Sequence, residues 1–190
     1  FNSIMGTIKD TKYKLIKNFL TPEESSLAKK YLLMKHKENT TSFDSIKNGT
    51  HNGDTHFFKD FLSEALLFNK LPLIEKETGL KLFPTYSFTR VYTYNAILKK
   101  HTDRPACEIS VTVMFGSDKT PWPIYMNDNP VEMNEGDACI YMGCEIPHFR
   151  KNFTGDWHAQ AFLHYVDQNG PYADWKYDKM EPPLHPSLQS

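Results

Sequence analysis

Hydrophobic positions along the chain change their period near its middle. From Thr21 onward they recur at helical spacing, with Leu27, Tyr31, Met34, Ala28 and Leu32 on one 3.6-residue stripe. Thr21-Pro22-Glu23-Glu24 opens that stripe with the chemistry of a helix start: Thr21 caps, Pro22 suits the first helical position and Glu24 completes a capping box. A polar stretch from Asn39 to Asp54 follows, with the turn pairs Asn48-Gly49 and Asn52-Gly53. Phe57, Phe58, Phe61, Leu62, Ala65, Leu66 and Phe68 then predict a second amphipathic helix, and Leu71 to Thr78, opening at Pro72 and stopped by Gly79, a shorter third.

From Phe83 the period becomes two. Tyr86 to Tyr92, Glu108 to Val113 and Trp157 to Val166 alternate as strands do, and turn clusters at Gly116-Ser117-Asp118, Asn127-Asp128-Asn129-Pro130, Asn134-Glu135-Gly136-Asp137 and Thr154-Gly155-Asp156 separate such runs. Helices first and short strands afterwards predict an α+β protein with an antiparallel sandwich or jelly roll, the helices covering one outer face. A single domain is expected: helical support over residues 1–80, a strand-rich core over 81–170, and a proline-rich tail, 171–190, extended over the barrel.

Composition narrows the partners. With 190 residues, 39% of them hydrophobic, the chain can enclose a buried site. A formal net charge of -1 gives no general attraction to nucleic acid or to an anionic membrane, so neither is an expected partner. Three cysteines without zinc-ribbon spacing, no signal-peptide apolar core and no run long enough to span a bilayer predict a soluble protein of a reducing cytoplasm. The residues from Phe1 to Ile4 carry no argument.

His101-Thr102-Asp103, followed by a late His148, is the candidate chemistry. Two imidazoles and one carboxylate make a three-ligand face for non-haem Fe(II) that leaves positions open for an oxidant and a substrate. His101 and Asp103 share strand parity. With eight histidines in the chain an H-x-D triplet alone says little, so its surroundings decide. Among 22 basic residues only Arg90, Arg104 and Arg150 are arginine, all in the strand-rich half. Arginine grips a carboxylate bidentately where lysine offers a point charge, which suits an acid ligand; an arginine paired structurally with Glu108 or Glu145 is the plainer reading of any one of them. On the last long strand Trp157, Ala159, Ala161, Leu163 and Tyr165 share one face, apt for packing under helices. His158, Gln160, Phe162 and His164 share the other, oddly polar for a core and apt for a pocket with a polar cosubstrate. Glu108, Ser110 and Thr112 either line the same pocket or face solvent. Cys139 and Cys144 read as small buried residues, Trp122 and Trp175 as core, lid or substrate wall, and His36, His51, His56 and His185 as surface.

Taken together, Tyr92, His101-Thr102-Asp103-Arg104-Pro105, Cys107-Glu108-Ile109-Ser110, Gly136-Asp137, Gly143-Cys144-Glu145, His148-Phe149-Arg150 and Phe162-Leu163-His164-Tyr165-Val166 resemble the Fe(II)- and 2-oxoglutarate-dependent dioxygenases. Within them the chain looks like the prolyl-4-hydroxylase-like branch and its compact bacterial and phage members, over roughly Pro84 to Tyr177. The resemblance implies a double-stranded β-helix, the jelly roll shared with cupins, with N-terminal helices packed on one sheet. It implies iron held by His101, Asp103 and His148, 2-oxoglutarate and O2 as cosubstrates with ascorbate admitted as an accessory, and hydroxylation of an unactivated C-H bond in a peptide, a protein or a small molecule, a prolyl residue among the candidates. It also implies the cytoplasm of a bacterium or of its phage-infected host. Tyr92 falls where such enzymes place a tyrosine that contacts the cosubstrate. Where they place Lys or Arg, about ten residues beyond the distal histidine, this chain has Trp157-His158. The far carboxylate is therefore assigned to Arg150, with Arg90 next and His158 or Gln160 as supporting donors. Two competing readings are a cupin-like metalloenzyme without 2-oxoglutarate and a jelly-roll binding module whose histidines do no chemistry; zinc hydrolysis lacks a companion base.

Overall fold

A computed structural model of the protein describes residues 8–41 and 54–188. The Asn48-Gly49 and Asn52-Gly53 turns, His51 and the first residues lie outside them. Among the described residues ten strands make two antiparallel sheets. The larger has the order β1-β8-β5-β10-β3-β2, from β1 (Tyr13–Ile16), β2 (Thr55–Phe58), β3 (Leu82–Thr93), β5 (Ile109–Ser117), β8 (Ala138–Met142) and β10 (Trp157–Asp167). The smaller has the order β4-β9-β6-β7, from β4 (Leu98–His101), β6 (Ile124–Met126), β7 (Asn129–Val131) and β9 (His148–Arg150). Mixed α and β structure with antiparallel sheets is thus as expected.

Beyond the helical residues 8–11, three helices among the described residues precede most of the strands. In α1 (Pro22–Thr41) the predicted capping box is present: Glu24 N–H donates to Thr21 Oγ1 at 3.1 Å and Thr21 N–H to Glu24 Oε1 at 2.9 Å. Its buried stripe is Ser25, Ala28 and Leu32, whereas Leu27 and Met34 are 65% and 68% exposed. The apolar set predicted for this helix was therefore too wide, because the small Ser25 can approach the sheet closely. The second predicted helix starts late. Phe57 and Phe58 belong to β2, where Phe57 pairs with Thr89 and Phe58 with Phe88. Lys59 then turns the chain at φ 55° and Asp60 caps α2 (Phe61–Asn69) by accepting from Leu62 N–H at 3.0 Å. The third, α3 (Leu71–Thr78), ends as predicted on Gly79, whose φ of 72° lets its N–H reach Glu75 O.

The core explains the alternation on β10. Ala159, Ala161, Leu163 and Tyr165 pack outward with Leu32, Leu66, Leu67 and Ile74 of the helices, together with Val91, Val111 and Val113 of the neighbouring strands. The opposite face of the large sheet meets the small one, where Cys139 and Tyr141 of β8 pack with Ile124, Met126 and Val131. Gly136 pins α1 to this frame: its φ is 90° and a Cβ there would lie 2.8 Å from Ser25 Oγ. Asp137, buried beside it, accepts from Asn18 N–H at 3.0 Å and Asn134 N–H at 2.9 Å. The tail corrects a prediction. It is not simply extended, since Ala173–Lys179 folds into 3-10 turns broken by left-handed Tyr177, Asp178 and Lys179. No described helix is long and apolar enough to cross a membrane.

Candidate metal centre

β4 and β9 are neighbours in the small sheet, with His101 opposite His148. Their ring centroids are 4.4 Å apart, and His101 Nε2 and His148 Nε2 each lie 3.3 Å from Asp103 Oδ1. The tautomers follow from what the other nitrogens face. Lys99 O lies 2.6 Å from His101 Nδ1, and Ile146 O 2.9 Å from His148 Nδ1. A carbonyl oxygen only accepts, so both Nδ1 atoms carry the proton and both Nε2 lone pairs point at the carboxylate. Two lone pairs and an anion facing one another form a seat for a cation. Burial alone would raise the Asp103 pKa, but without a metal, hydrogen bonds from His101 and His148, when their Nε2 atoms carry a proton, hold it below the ordinary carboxylate range. His101 is shifted up, chiefly by its contact with Asp103.

Asp103 is held from behind. Its N–H donates to Gly143 O at 2.8 Å, and Ser110 Oγ approaches Oδ2 at 3.4 Å. A Cβ on Gly143 would meet Asp103 Oδ2 and Cys107 O, each at 2.4 Å, so this position admits only glycine. The three residues border a cavity of about 240 Å³, walled also by Tyr86, Phe88, Arg90, Tyr92, Leu98 and Phe162.

Arg150 is 1% exposed, shares its strand face with His148, and donates from Nη1 to Trp122 O at 2.7 Å. Its Nε and Nη2 have no partner among the described residues, nor does the hydroxyl of Tyr92. Arginine and tyrosine meet on one indole: the guanidinium carbon lies 4.8 Å from the Trp122 centroid and the Tyr92 ring 4.8 Å from it. Burial pulls the Arg150 pKa down to about 10, which leaves it charged at neutral pH. A buried cation without a counter-ion is costly, so these orphaned donors fit a carboxylate ligand.

The other candidates have partners of their own, although Arg90 lines the cavity and its Nε is also unpartnered among the described residues. Arg90 pairs with Asp54 at 3.0 Å and stacks on Tyr92, and Arg104 makes a bidentate bridge to Asp178 at 2.8 and 3.0 Å. His158 and Gln160, like Arg150, are not among the residues lining the cavity at His101, Asp103 and His148. Gln160 gives its amide N–H to Thr112 Oγ1 and accepts from His158 Nε2 at 2.8 Å, so neither presents that donor to a ligand. Burial, and then the charge of Arg150, lower the His158 pKa to about 3, so the ring expected as a supporting donor is neutral and its Nε2–H goes to Gln160. Its ring borders a second cavity of about 440 Å³ beyond Trp122. Ser110 and Thr112 do face inward, whereas Glu108 accepts from Asp167 N–H at 2.9 Å. Trp122 is a buried wall residue, and His36, expected at the surface, is half-buried against Thr55 Oγ1 at 2.7 Å. The sequence reading passed over Tyr86 and Tyr141 as cavity residues. Their strand parity, shared with Phe88 and Tyr92 on β3 and with Cys139 on β8, was the available signal.

No protein-family model matches the sequence, and a search of curated proteins found none similar to it. Solved structures do share the fold. A prolyl-4-hydroxylase of Pseudomonas putida superposes with a TM-score of 0.65 at 14% identity, covering 86% of this chain and 97% of its own. HygX of Streptomyces hygroscopicus, solved with nickel and 2-oxoglutarate, gives 0.66 at 9% identity, covering 89% and 88%. A Trichoplax adhaerens prolyl hydroxylase in complex with a hypoxia inducible factor peptide fragment gives 0.65 at 14%, covering 88% and 89%. The chain therefore has the fold of the 2-oxoglutarate and Fe(II) oxygenases, prolyl hydroxylases among them.

Proposed function

We propose that the protein is an Fe(II)- and 2-oxoglutarate-dependent oxygenase that hydroxylates an unactivated C-H bond, built as one double-stranded β-helix domain. The observation that carries this reading is the pair of Nε2 lone pairs turned by backbone carbonyls onto one oxygen of Asp103. His101, Asp103 and His148 would hold the metal, a facial set with open positions. When bound, iron and the keto acid supply dioxygen activation coupled to decarboxylation of 2-oxoglutarate to succinate. The chain's own part is to orient and to exclude water. Arg150, still cationic, and the Tyr92 hydroxyl would grip the far carboxylate from a fully buried wall, with Trp122 fixing the guanidinium plane. Tyr86, Phe88 and Phe162 would present the target bond through an apolar mouth. Similarity in fold to prolyl hydroxylases supports a peptide or protein substrate, a prolyl residue included. Free thiols, with Cys107 and Cys139 buried and Cys144 partly exposed rather than buried as expected, and a ferrous site suit a reducing cytoplasm.

Anaerobic addition of Fe(II) and then 2-oxoglutarate to metal-free protein is expected to give the visible charge-transfer band of a keto acid chelating iron. Asp103→Ala should abolish it, and Arg150→Met should raise half-saturation by 2-oxoglutarate at least tenfold while leaving iron binding intact. Iron binding without the band would overturn the 2-oxoglutarate reading.

A further inference from the structure

The wall of the metal cavity carries a second set of donor atoms. A carboxylate oxygen of Asp103, Sγ of Cys107 and a ring nitrogen of His164 lie within 4.8 Å of one another, and all three residues line the cavity. Cys107 and His164 are only 3% and 5% exposed. The chain builds this set locally and across the sheet. Cys107 ends the 3-10 turn that follows Asp103, its N–H donating to Arg104 O at 2.9 Å, and His164 reaches in from β10. Ser110 organises the three. Its hydroxyl donates to Cys107 O at 3.0 Å, so it accepts from His164 Nδ1 at 2.8 Å and leaves Nε2 with a free lone pair. Asp103 turns Oδ1 toward His101 and His148 and Oδ2 toward Ser110, so its two oxygens face the two donor sets.

Thiolate, imidazole and carboxylate are zinc-type ligands, and a sulfur donor disfavours magnesium and calcium. The plainer reading, a thiol that only contacts the Tyr86 hydroxyl at 3.2 Å, accounts for the burial of Cys107 but not for an imidazole and a carboxylate oxygen gathered within 4.8 Å of its sulfur. We propose that Asp103, Cys107 and His164 form a second metal site for a thiophilic divalent cation such as Zn2+, which shares Asp103 with the iron face and so regulates it. The regulatory half rests on the oxygenase reading; the metal site itself does not. On binding, the Cys107 thiol releases its proton to solvent and the Tyr86 contact is given up. Because one carboxylate serves both sets, zinc here weakens the iron site.

Cobalt tests this directly. Metal-free full-length protein titrated anaerobically with Co2+ should develop a near-ultraviolet thiolate-to-cobalt band as the second equivalent binds. Cys107→Ser should remove the band, Cys144→Ser should keep it, and His164→Ala should raise half-saturation at least tenfold. Cobalt uptake without the band, or a band unchanged in Cys107→Ser, would overturn the site. If Cys107→Ser does not fold, X-ray absorption of the native chain loaded with Zn2+ should show sulfur at about 2.3 Å, and only lighter scatterers would overturn it. Zn2+ should also bleach the iron and 2-oxoglutarate band, with Cys107→Ser needing at least tenfold more; equal sensitivity would remove the regulatory claim. A cobalt-thiolate band without any keto acid band would sink the oxygenase reading and leave the second site standing.

Discussion

Gly143 has no room for a side chain, since an added Cβ would fall 2.4 Å from Asp103 Oδ2 and 2.4 Å from a rigid backbone carbonyl. Of the two, only the aspartate can yield. Gly143→Ala is therefore expected to rotate Asp103 off the two imidazoles, lowering metal affinity roughly 10- to 100-fold. Metal titration with circular dichroism as a folding control checks this; an unchanged affinity would mean that the turn, not Asp103, gives way. At this scale the cluster of His101, Asp103 and His148 was legible in the sequence because an H-x-D triplet and a late histidine stood among the other motifs around them. The fate of the arginines was not. Arg90 is neutralised by Asp54 and Arg104 by Asp178, acids 36 and 74 positions away, and no local pattern announces such partners. Arg150 stands apart because the fold brings it one carbonyl acceptor, Trp122 O, and no carboxylate among the described residues.

Elements were readable wherever their signal is local. The Thr21 and Glu24 box is a contact across three residues, so composition at the helix start was enough to place α1. Thr21→Ala should cost about 1 kcal/mol, seen as a lowered melting temperature with the cavity undisturbed; no change would show that tertiary packing alone sets this end. Phe57 and Phe58 illustrate the opposite case. With Phe61 and Leu62 they mimic helical spacing, yet they pair with Thr89 and Phe88 of β3, and the decisive break is the left-handed Lys59, which sequence seldom reveals. The strands that were found, β3, β5 and β10, have one helix-facing and one inward side. That alternation survives on β10 even where the inward residues are histidine and glutamine, the departure from a plain core that marked the site.

Across the whole molecule, burial of two neutral imidazoles ties stability to pH. The pKa of His158 is lowered to about 3 and that of His164 to about 4, first of all by burial, against 6.5 for an unconstrained imidazole. Below pH 6.5 the unfolded chain thus takes up protons that the folded one refuses, so stability is full above that pH and declines as it falls toward 4. At pH 5.5 the loss is on the order of 1 kcal/mol for each histidine. Melting temperatures of metal-free protein at pH 7.5 and 5.5 should differ accordingly, and His158→Gln should recover part of the difference; equal temperatures for the native chain would contradict it. Long-range order matters in time as well as in energy. Arg104, next to the ligand Asp103, is clamped between the rings of Tyr86 and Trp175 and bridged to Asp178. During synthesis that clamp must wait for residue 178 to leave the ribosome. The nascent chain thus exposes its H-x-D triplet long before His148 and the tail can enclose it, and a metal met early would find an open, poorly discriminating pair of ligands.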